Sequence, residues 1–424
     1  MYELSLAVFG VLAAITVWNT VWTVVMARVL RNRRTAPVLT DEELPKAAIL
    51  LCLRGADPNL SAALRRLMSQ DYPRYELFVA VDSEADPAWQ VVQGTIQELK
   101  ATNVHVAPLR TRLATCSLKC SSLVQLVDEL DRSHEVIVLA DADLESHPTW
   151  LRELVAPLAD PTVGATFGNR WFLPTTGWLG SLVRQVWNAP GLVAMHVIQI
   201  PWAGSLAIRS EVFWRGGLRE KWSHSIVDDG PLRTAVKKQG LTLRFVPSVI
   251  MANREECSLR YAYNFLRRQM TWTRTYMPIW WTALLAYSYL SIASWTVAAI
   301  LAVGAFCCGP LEAAWWLGSG AGLLGAATFL SWLTLDICAR RVIREQGEPA
   351  PSVWSRELAR LPIAMSLAAW MHLVAAVAAT VRRRIMWRGV TYEILGPSHI
   401  RIVHERAFIA FPAATNSPAT AVSI

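Results

Sequence analysis

Hydrophobic residues are concentrated in three long stretches, and most of the remaining chain alternates short apolar runs with amphipathic segments. Residues 4–27, 275–335 and 361–381 together contain one charged residue, Glu312. About 20 apolar residues suffice to cross the hydrocarbon core of a bilayer, so each stretch is long enough. The middle stretch is long enough for two crossings joined near Gly309. The pattern predicts an N-terminal membrane anchor, a helical hairpin and a third apolar segment.

The region between the first and second stretches has the periodicity of alternating strands and helices. Short apolar runs predict strands, and apolar residues spaced three or four positions apart predict helices. This rhythm implies a mostly parallel sheet covered by helices, with ligands bound beyond the carboxyl ends of the strands. In chain order we predict a strand at 47–53, a helix at 59–69, a strand at 76–81, a helix at 88–100, a strand at 104–107, a helix at 118–130 and a strand at 136–139.

The composition agrees with a soluble domain fused to membrane segments. Charged residues make up 17% of the 424-residue chain, against about 25% in ordinary globular proteins. Because nearly all the charges lie outside the apolar stretches, this value averages two environments. The composition and the distribution of charges exclude a uniformly soluble protein, a chain that lies entirely in the membrane, and a disordered or disulfide-based scaffold.

The basic residues lie mainly at the ends of the apolar stretches. The net charge is +8, and this position suits contact with the anionic headgroups of a lipid bilayer. Nucleic-acid binding would require a basic stripe with interleaved aromatic residues on the soluble domain, and the sequence shows none. We therefore expect the bilayer, and no nucleic acid, as a partner.

The arginines also indicate how the chain crosses the membrane. Arg28, Arg31, Arg33 and Arg34 follow the first stretch, so the positive-inside rule places the N-terminus outside and the soluble domain in the cytoplasm. The third stretch does not fit this rule, because Arg356 and Arg360 precede it and 382–384 are all arginine. It either crosses the membrane, lies in the interface or re-enters.

Carboxylates cluster after two of the predicted strands. Asp82, Glu84 and Asp86 follow the second strand, and Asp141 and Asp143 follow the fourth. Two carboxylates at positions i and i+2 of a loop can serve a divalent cation and a ligand hydroxyl group together. The region between the first and second apolar stretches contains neither GxxxxGK[ST] nor GxGxxG, so a nucleotide bound there would need a metal ion and basic side chains to neutralise its phosphates.

Six short motifs follow one another along the chain: Asp-Tyr-Pro-Arg-Tyr-Glu (71–76), Val-Asp-Ser-Glu-Ala-Asp-Pro-Ala (81–88), Asp-Ala-Asp (141–143), Trp-Ala-Gly-Ser (202–205), Val-Asp-Asp-Gly (227–230) and Arg-Gln-Met-Thr-Trp (268–272). In this order they resemble the motifs of membrane-bound GT-A glycosyltransferases. The closest resemblance is to the ceramide glucosyltransferase-like family (glycosyltransferase family 2/21 type), which includes bacterial hopanoid-lipid glycosyltransferases, and it extends to Trp-Arg-Gly-x-x-Tyr at 387–392. It implies an α/β fold: a GT-A (Rossmann-like, mostly parallel sheet) cytoplasmic domain with an N-terminal transmembrane helix and C-terminal transmembrane or interfacial helices.

The resemblance implies roles for residues that would bind the donor. Asp82 or Asp86 would contact the nucleotide base; the family pattern has an acid where Ser83 stands, so both remain candidates. Asp141 and Asp143 match the motif that binds the metal and the sugar nucleotide, with Asp143 as the direct ligand of Mg²⁺ or Mn²⁺. Lys119 resembles a family lysine that assists at the phosphates, although serines replace the asparagines that usually follow it.

The remaining motifs would serve the acceptor and the chemistry. Asp228 and Asp229 match a pair whose second member is the general base, although Asp-Asp-Gly-Pro read alone is a turn signal. Gly204 and Ser205 would form either a wall of the acceptor pocket or a tight loop.

The last of the six motifs, (Q/R)xxRW, departs from the family pattern. Arg268 and Trp272 match it, as a phosphate-facing cation and an interfacial contact. Thr271 replaces its usual arginine, and Arg267 or Arg274 would have to compensate.

Together these residues predict an inverting glycosyltransferase. It would move a glucose-type or N-acetylglucosamine-type sugar from a UDP-sugar donor to a hydroxyl group of a membrane lipid acceptor, ceramide-like or hopanoid-like. The expected location is the cytoplasmic face of a bacterial inner membrane. The alternatives are a processive polysaccharide synthase, which shares the motifs, and a weakly active or inactive lipid-binding scaffold.

The predicted organisation follows from these assignments. The segments are an N-terminal transmembrane anchor (1–30), a linker (31–44), a GT-A domain (45–265), an interfacial segment (266–278), a transmembrane hairpin (279–337), a cytoplasmic or interfacial linker (338–360), a transmembrane or re-entrant helix (361–381) and a basic C-terminal segment and tail (382–424).

Overall fold

The structure, a computed structural model, describes residues 2–32, 37–143, 145–351 and 355–406, without the side chains of 355–357. The basic positions Arg33 and Arg34, the side chain of Arg356 and the tail 407–424 lie outside the described residues. Seven strands form the main sheet, namely β1 (Ala47–Leu53), β2 (Tyr75–Val81), β3 (Val104–Pro108), β4 (Val136–Ala140), β5 (Val163–Phe172), β6 (Ser205–Arg209) and β7 (Thr242–Asn253).

The main sheet is mostly parallel. Its strand order is β3-β2-β1-β4-β6-β5-β7, and only β6 runs antiparallel to its neighbours, β4 and β5. The helices of this region are α2 (Leu60–Met68), α3 (Pro87–Leu99), α4 (Leu118–Asp128), α5 (Trp150–Val155), α6 (Leu179–Ile198), α7 (Ser210–Arg215), α8 (Leu218–Trp222), α9 (Gly230–Lys238) and α10 (Leu259–Tyr276), with a 3-10 turn at Ala156–Ala159.

The predicted alternation of strands and helices is confirmed, and each predicted boundary between 47 and 139 falls within two residues of the observed one. Successive β1 side chains point to opposite faces of the sheet, so Leu50 joins one buried cluster and Ile49 and Leu51 join the other. Burial on both faces explains why β1 is a continuous apolar run and not an alternating one.

The sheet topology brings several chain segments to one edge. Because six strands are parallel, β1, β2, β3, β4, β5 and β7 all end there, and the antiparallel β6 begins there. The register pairs Ala140 of β4 with Ser205 of β6 and Phe172 of β5 with Asn253 of β7. Loops that are far apart in sequence therefore meet at this edge.

Four helices of the described residues are long and apolar enough to span a membrane. They are α1 (Tyr2–Arg31), α11 (Pro278–Cys308), α12 (Leu311–Glu345) and α13 (Ser355–Val381). The predicted hairpin is present as α11 and α12, which are separated by Gly309 and Pro310. The expected fold class, α/β with a mostly parallel sheet and flanking apolar helices, is confirmed.

A buried ion pair fastens α12 to the sheet. Asp336 is fully buried and accepts hydrogen bonds from Arg340 Nε at 2.6 Å, Trp171 Nε1 at 2.9 Å and Gln185 Nε2 at 3.2 Å. Trp171 lies on β5 and Gln185 on α6, so one carboxylate joins the membrane helix to both. Its hydrogen bonds to three partners offset the cost of burying the charge.

The basic segment after α13 folds into a small antiparallel sheet. Its strands are β8 (Arg384–Trp387), β9 (Val390–Gly396) and β10 (His399–Glu405). Ile385 and Tyr392 pack in one cluster with Leu118 of α4 and with Ile226, which lies between α8 and α9. The Tyr392 hydroxyl also accepts a hydrogen bond from the Leu118 amide at 3.2 Å. The small sheet therefore packs on the domain that contains the main sheet.

Candidate active site

An ammonium group links two of the predicted site carboxylates. Lys119 Nζ lies 2.7 Å from Asp141 Oδ1 and 2.9 Å from Asp228 Oδ2. Lys119 is in the first turn of α4, whose N-terminus is capped by the Ser117 side chain. Helix N-termini disfavour cations, so the two carboxylates must stabilise this one.

The pKa values in this cluster follow from burial and from these contacts. Burial lowers the pKa of Lys119, but Asp141 and Asp228 together raise it well above its usual value. Burial likewise raises the pKa of Asp141, but the Lys119 ammonium more than offsets that effect, and the pKa ends below its usual value. Lys119 and Asp141 are therefore both charged at neutral pH.

Asp143 is held differently from Asp141. Its Oδ2 accepts a hydrogen bond from Asn253 Nδ2 at 3.0 Å and lies 3.6 Å from an Arg170 guanidinium nitrogen. Burial raises the pKa of Asp143, while Arg170 opposes that effect. The side chain is 39% exposed, so it remains open to a ligand at the edge of the sheet.

Asp229 is the carboxylate with the most strongly perturbed protonation in this region. Burial, followed by the negative charge of Asp228, raises its pKa to about 7. Its Oδ2 accepts a long hydrogen bond of 3.4 Å from the Ala203 amide. Among the described residues no Lys, Arg or His forms an ion pair with it. A half-buried carboxylate that titrates near neutral pH can accept a proton during a reaction.

The segment 202–204 connects these carboxylates. The Trp202 ring lies 5.3 Å from the Arg170 guanidinium, and the Ala203 amide contacts Asp229. A Cβ at Gly204 would lie 2.1 Å from the Trp202 ring and 2.7 Å from Asp141 Oδ2. Glycine is required here because the ring and the carboxylate approach the backbone too closely for any side chain.

Ser205 lies inside the domain and not on a pocket wall. It is fully buried, and its Oγ accepts a hydrogen bond from Trp150 Nε1 at 2.9 Å. Asp228 is also buried, at 4% exposure. The structure therefore brings Gly204, Asp228 and Asp229 together beside Asp141, whereas Ser205 points into the core because it is the first residue of β6.

Asp82 and Asp86, the two candidates for contact with the nucleotide base, have different hydrogen-bond and ion-pair partners. Asp86 accepts hydrogen bonds from the Gly55 amide at 2.9 and 3.0 Å and from the Ala88 amide at 2.8 Å, and it caps α3. Asp82 instead lies 3.1 Å from Arg54 Nη1 and 3.0 Å from Arg112 Nη2. Both arginines also contact Glu405 of β10. Asp86 thus holds the backbone, and Asp82 belongs to a side-chain cluster at the edge of the sheet.

Arg268 projects from α10 without an acidic partner in ion-pair contact among the described residues. Its guanidinium lies 5.7 Å from the Phe265 ring and 5.9 Å from the Trp387 ring. Burial lowers the pKa of Arg268, and the more distant charge of Glu255 does not restore it. A desolvated guanidinium held between rings is suited to an anion such as a diphosphate.

Trp272 lies beside this arginine, and its ring packs edge-on against Trp387 of β8 at 6.5 Å. Thr271 is buried and donates a hydrogen bond to the Arg267 carbonyl. Arg274 donates to the Ala379 carbonyl of α13 at 2.6 Å. This contact ties Arg274 to another helix, and compensation for the missing motif arginine by Arg267 or Arg274 stays a prediction.

Sequence reasoning missed two polar residues at this edge. Arg170, near the end of β5, lies over the rings of Phe172, Trp202 and Phe265. Asn253 ends β7 and binds Asp143. Their positions near the carboxyl ends of parallel strands were the signal that could have identified them, but the sequence did not reveal that β5 and β7 belong to the sheet.

A divalent ion would have to share its ligands with the substrate. Within the described ranges, no group of three or more His, Cys, Asp or Glu side chains could hold a metal ion. Mg²⁺ is usually bound by one or two carboxylates together with substrate phosphates. Asp143, with Asp141 two residues before it, fits such a site because its carboxylate is partly exposed and, among the described residues, accepts one amide hydrogen bond and lies 3.6 Å from Arg170.

Comparison with known proteins gives one match over almost the whole chain. The model of glycosyl transferase family 21 matches residues 5–399. Two fungal ceramide glucosyltransferases match over short segments: the Komagataella phaffii protein is 29% identical over 75 residues and the Pyricularia oryzae protein 33% identical over 70. These segments cover 18% and 16% of this chain and only 14% of each relative.

Solved structures of low sequence identity also align. A mannosyltransferase from Pyrobaculum calidifontis in complex with GDP-Man and Mn²⁺ is 17% identical, with 88% of this chain and 98% of that chain covered and a TM-score of 0.45. Glucosyl-3-phosphoglycerate synthase from Mycobacterium tuberculosis in complex with Mn²⁺, UDP and phosphoglyceric acid is 15% identical, with 57% and 84% covered and a TM-score of 0.40.

Proposed function

The chain belongs to glycosyl transferase family 21, and we propose that it transfers a glucose-type or N-acetylglucosamine-type sugar from a UDP-sugar to a hydroxyl group of a membrane lipid. The observation that carries the proposal is Asp229. It is a carboxylate with a pKa of about 7 beside Asp141 and Asp228. The next residue, Gly230, contacts the ring of Tyr276, the last residue of α10, two positions before the membrane hairpin begins. The short matches to ceramide glucosyltransferases support a ceramide-like lipid, and a hopanoid-like lipid presents the same hydroxyl chemistry.

Asp229 would act as the general base. The lipid hydroxyl transfers its proton to a carboxylate oxygen of Asp229 while its own oxygen forms a bond to the anomeric carbon of the sugar. The bond between that carbon and the diphosphate oxygen breaks, and its electron pair leaves with the nucleoside diphosphate. One displacement of this kind inverts the anomeric centre. A base with a pKa near the working pH is efficient because it is ionised and still basic enough to take the proton.

Of the basic side chains at the site, Arg268 would bind the leaving group and Lys119 would position the carboxylates. Arg268 has no acidic partner in ion-pair contact among the described residues, so its guanidinium is available to the diphosphate. Lys119 would hold Asp141 and Asp228 in place through its two ion pairs. Mg²⁺ or Mn²⁺, held by Asp143 and Asp141 together with the diphosphate, would neutralise the negative charge that develops on the leaving group. We assign contact with the nucleotide base of the donor to Asp82, because backbone amides already occupy the Asp86 carboxylate.

The position of the site explains how a lipid could reach it. α10 carries Arg268 and Trp272 and is separated from the membrane helix α11 by Met277 alone. An amphiphilic acceptor leaves the bilayer at a high free-energy cost, so a hydroxyl near the interface is best reached by an enzyme that is itself in the membrane. We propose the cytoplasmic face of the membrane for the site, because Arg28 and Arg31 lie at the end of the first membrane helix. A bacterial inner membrane stays a prediction from the family resemblance, and the two relatives named above are fungal.

The proposal is tested with the full chain in lipid nanodiscs. Candidate UDP-sugars, Mn²⁺ and a lipid extract are supplied, and release of UDP and formation of glycolipid are measured. We expect both products from the wild-type protein and a rate about 1000-fold lower from Asp229→Asn. Asp41→Asn is the matched control, because Asp41 is 69% exposed and pairs only with Arg152 on the surface. Undiminished turnover by a folded Asp229→Asn protein would exclude the base, and absence of UDP release with every donor would favour the scaffold alternative.

A further inference from the structure

Both ends of α13 contact the catalytic region, by which we mean the main sheet and helices α2 to α10. Near its start, an Arg360 guanidinium nitrogen donates a hydrogen bond to the Gly177 carbonyl at 3.1 Å, just before α6 begins. Near its end, the Ala379 carbonyl accepts a hydrogen bond from Arg274 of α10. Two residues after α13, the Arg383 carbonyl pairs with the Ile394 amide of β9 at 2.8 Å. A 27-residue helix is about 40 Å long, so a helix that crossed the bilayer could not contact the same domain at both ends.

The middle of α13 also lies along this domain. Trp187 Nε1 of α6 donates a hydrogen bond to His372 Nδ1 at 2.9 Å. Further along, three small residues of α13 form one buried cluster with Phe265, Leu266 and Met270 of α10. These three residues are Ala375, Ala376 and Ala379. One face of α13 is thus covered by α6 and α10 along most of its length.

The charges of α10 restrict where this pair of helices can lie. α10 contains Arg260, Arg267, Arg268 and Arg274. An arginine at the centre of a bilayer costs about 2.5–3.5 kcal/mol even on the most permissive scale. A helix with four of them lies at the membrane surface, and α13, which packs along it, must lie at the same depth.

The opposite face of α13 is exposed and apolar. It presents Ile363, Trp370, Val374, Val377 and Val381, each between 48% and 77% exposed. The hydroxyl groups of Ser366 and Thr380 on the exposed side donate to carbonyls of their own helix. No charged residue lies between 361 and 381. Soluble proteins rarely expose a continuous apolar strip of this length, so another apolar surface, from lipid or from protein, must contact it.

We propose that α13 lies flat in the cytoplasmic leaflet, with its exposed apolar strip facing the acyl chains, and does not cross the bilayer. The arginines at both ends of the strip indicate that the contacting surface is the lipid bilayer. Arg360 precedes the strip, and Arg382, Arg383 and Arg384 follow it, all of them exposed. In the flat arrangement both groups reach lipid phosphates of one leaflet, whereas a crossing would leave the second group on the outer side. This inference concerns the membrane topology and stands independently of the proposed sugar transfer.

The first test measures on which side of the membrane each end of α13 lies. Cys307 and Cys308 are exposed, free and located at the hairpin turn. They report the outer side when an impermeant maleimide is added to right-side-out vesicles. Arg383→Cys, made in a Cys307→Ser and Cys308→Ser background, should be labelled only in inside-out vesicles. Glu98→Cys, exposed on the catalytic region, is the matched cytoplasmic control. Labelling of Arg383→Cys from the outer side would overturn the proposal.

The second test separates the bilayer from a protein cover. Nitroxide labels at Ile363→Cys, Trp370→Cys and Val377→Cys, in the same background, report depth from their accessibility to oxygen and to an aqueous nickel complex. A flat helix gives similar depths of about 5–10 Å at all three positions. A crossing helix instead gives a maximum near the bilayer centre, about 15 Å deep. Loss of oxygen access with spin–spin broadening would show that a second copy of the chain covers the strip, and it would refute the proposal. Ala369→Cys, a small change on the exposed side, replaces any label that impairs folding.

Discussion

The pKa of Asp229 gives a prediction with a definite sign. Asp229 must be ionised to accept a proton, and its pKa is about 7, so kcat should fall about tenfold per pH unit once the pH is below that value. Asp228 raises this pKa and Lys119 lowers it. Asp228→Asn should therefore move the acid limb of the kcat profile to lower pH. Lys119→Met should move it to higher pH.

The size of the effect follows from the charges involved. For two charged side chains on adjacent residues we take a separation of roughly 7 Å, at which an effective dielectric constant of about 20 gives about 2.4 kcal/mol. One pKa unit corresponds to about 1.36 kcal/mol. Lys119 lies 2.9 Å from Asp228 and neutralises part of its field. We therefore expect Asp228→Asn to move the limb by about one pH unit. Burial is the largest cause of the raised pKa, and the substitution leaves it unchanged, so the limb should remain well above the usual aspartate value.

The assay is release of nucleoside diphosphate by nanodisc-embedded protein between pH 5 and 9, with donor and lipid saturating. Only the position of the limb is compared, since both substitutions will also reduce the maximal rate. Asp41→Asn should keep the wild-type profile. If the limb stays in place in both variants, or moves in the same direction in both, the assignment of Asp229 as the titrating base is refuted.

Three further predictions concern residues around the site. Tyr276→Phe removes hydroxyl contacts to Ser225 Oγ at 2.6 Å and to the Ile226 amide at 3.0 Å. Because these contacts fix the loop before Asp228, kcat should fall about tenfold with little change in the KM for the donor. Asp336→Ala should lower the free energy of unfolding by about 3–5 kcal/mol, because Arg340 loses its buried partner. The measurement is the melting temperature, which should fall; an unchanged value would contradict the prediction. Asp143→Ala should raise the Mn²⁺ concentration for half-maximal activity at least tenfold, and an unchanged requirement would exclude Asp143 as a ligand.

Much of the catalytic region could be predicted from the sequence because its signals are local. β1 is a continuous apolar run since both of its faces are covered, and Asp141 and Asp143 follow β4 directly. The same local signals located the membrane hairpin, whose turn contains Gly309 and Pro310. These features depend on periodicity and on turn chemistry within about ten residues.

Other parts of the site could not be predicted, because they depend on contacts between distant segments. Asn253 reaches Asp143 only because β7 lies parallel to β5 in the sheet. Asp86 could not be distinguished from Asp82 until the Gly55 amide was seen to occupy its carboxylate. Ser205 matched a motif position, but the strand register turns its hydroxyl towards Trp150.

The sequence by itself determined that a soluble α/β region is joined to apolar helices, and that carboxylates follow its strands. Those properties reside in the order of side chains along the chain. Tertiary structure alone decided which carboxylate stays free of a cation: Lys119 joins Asp141 to Asp228 and leaves Asp229 without an ion pair among the described residues. It also decided that both ends of α13 meet the catalytic region. The physical reason is that electrostatic pairing and membrane depth depend on distances between residues far apart in sequence.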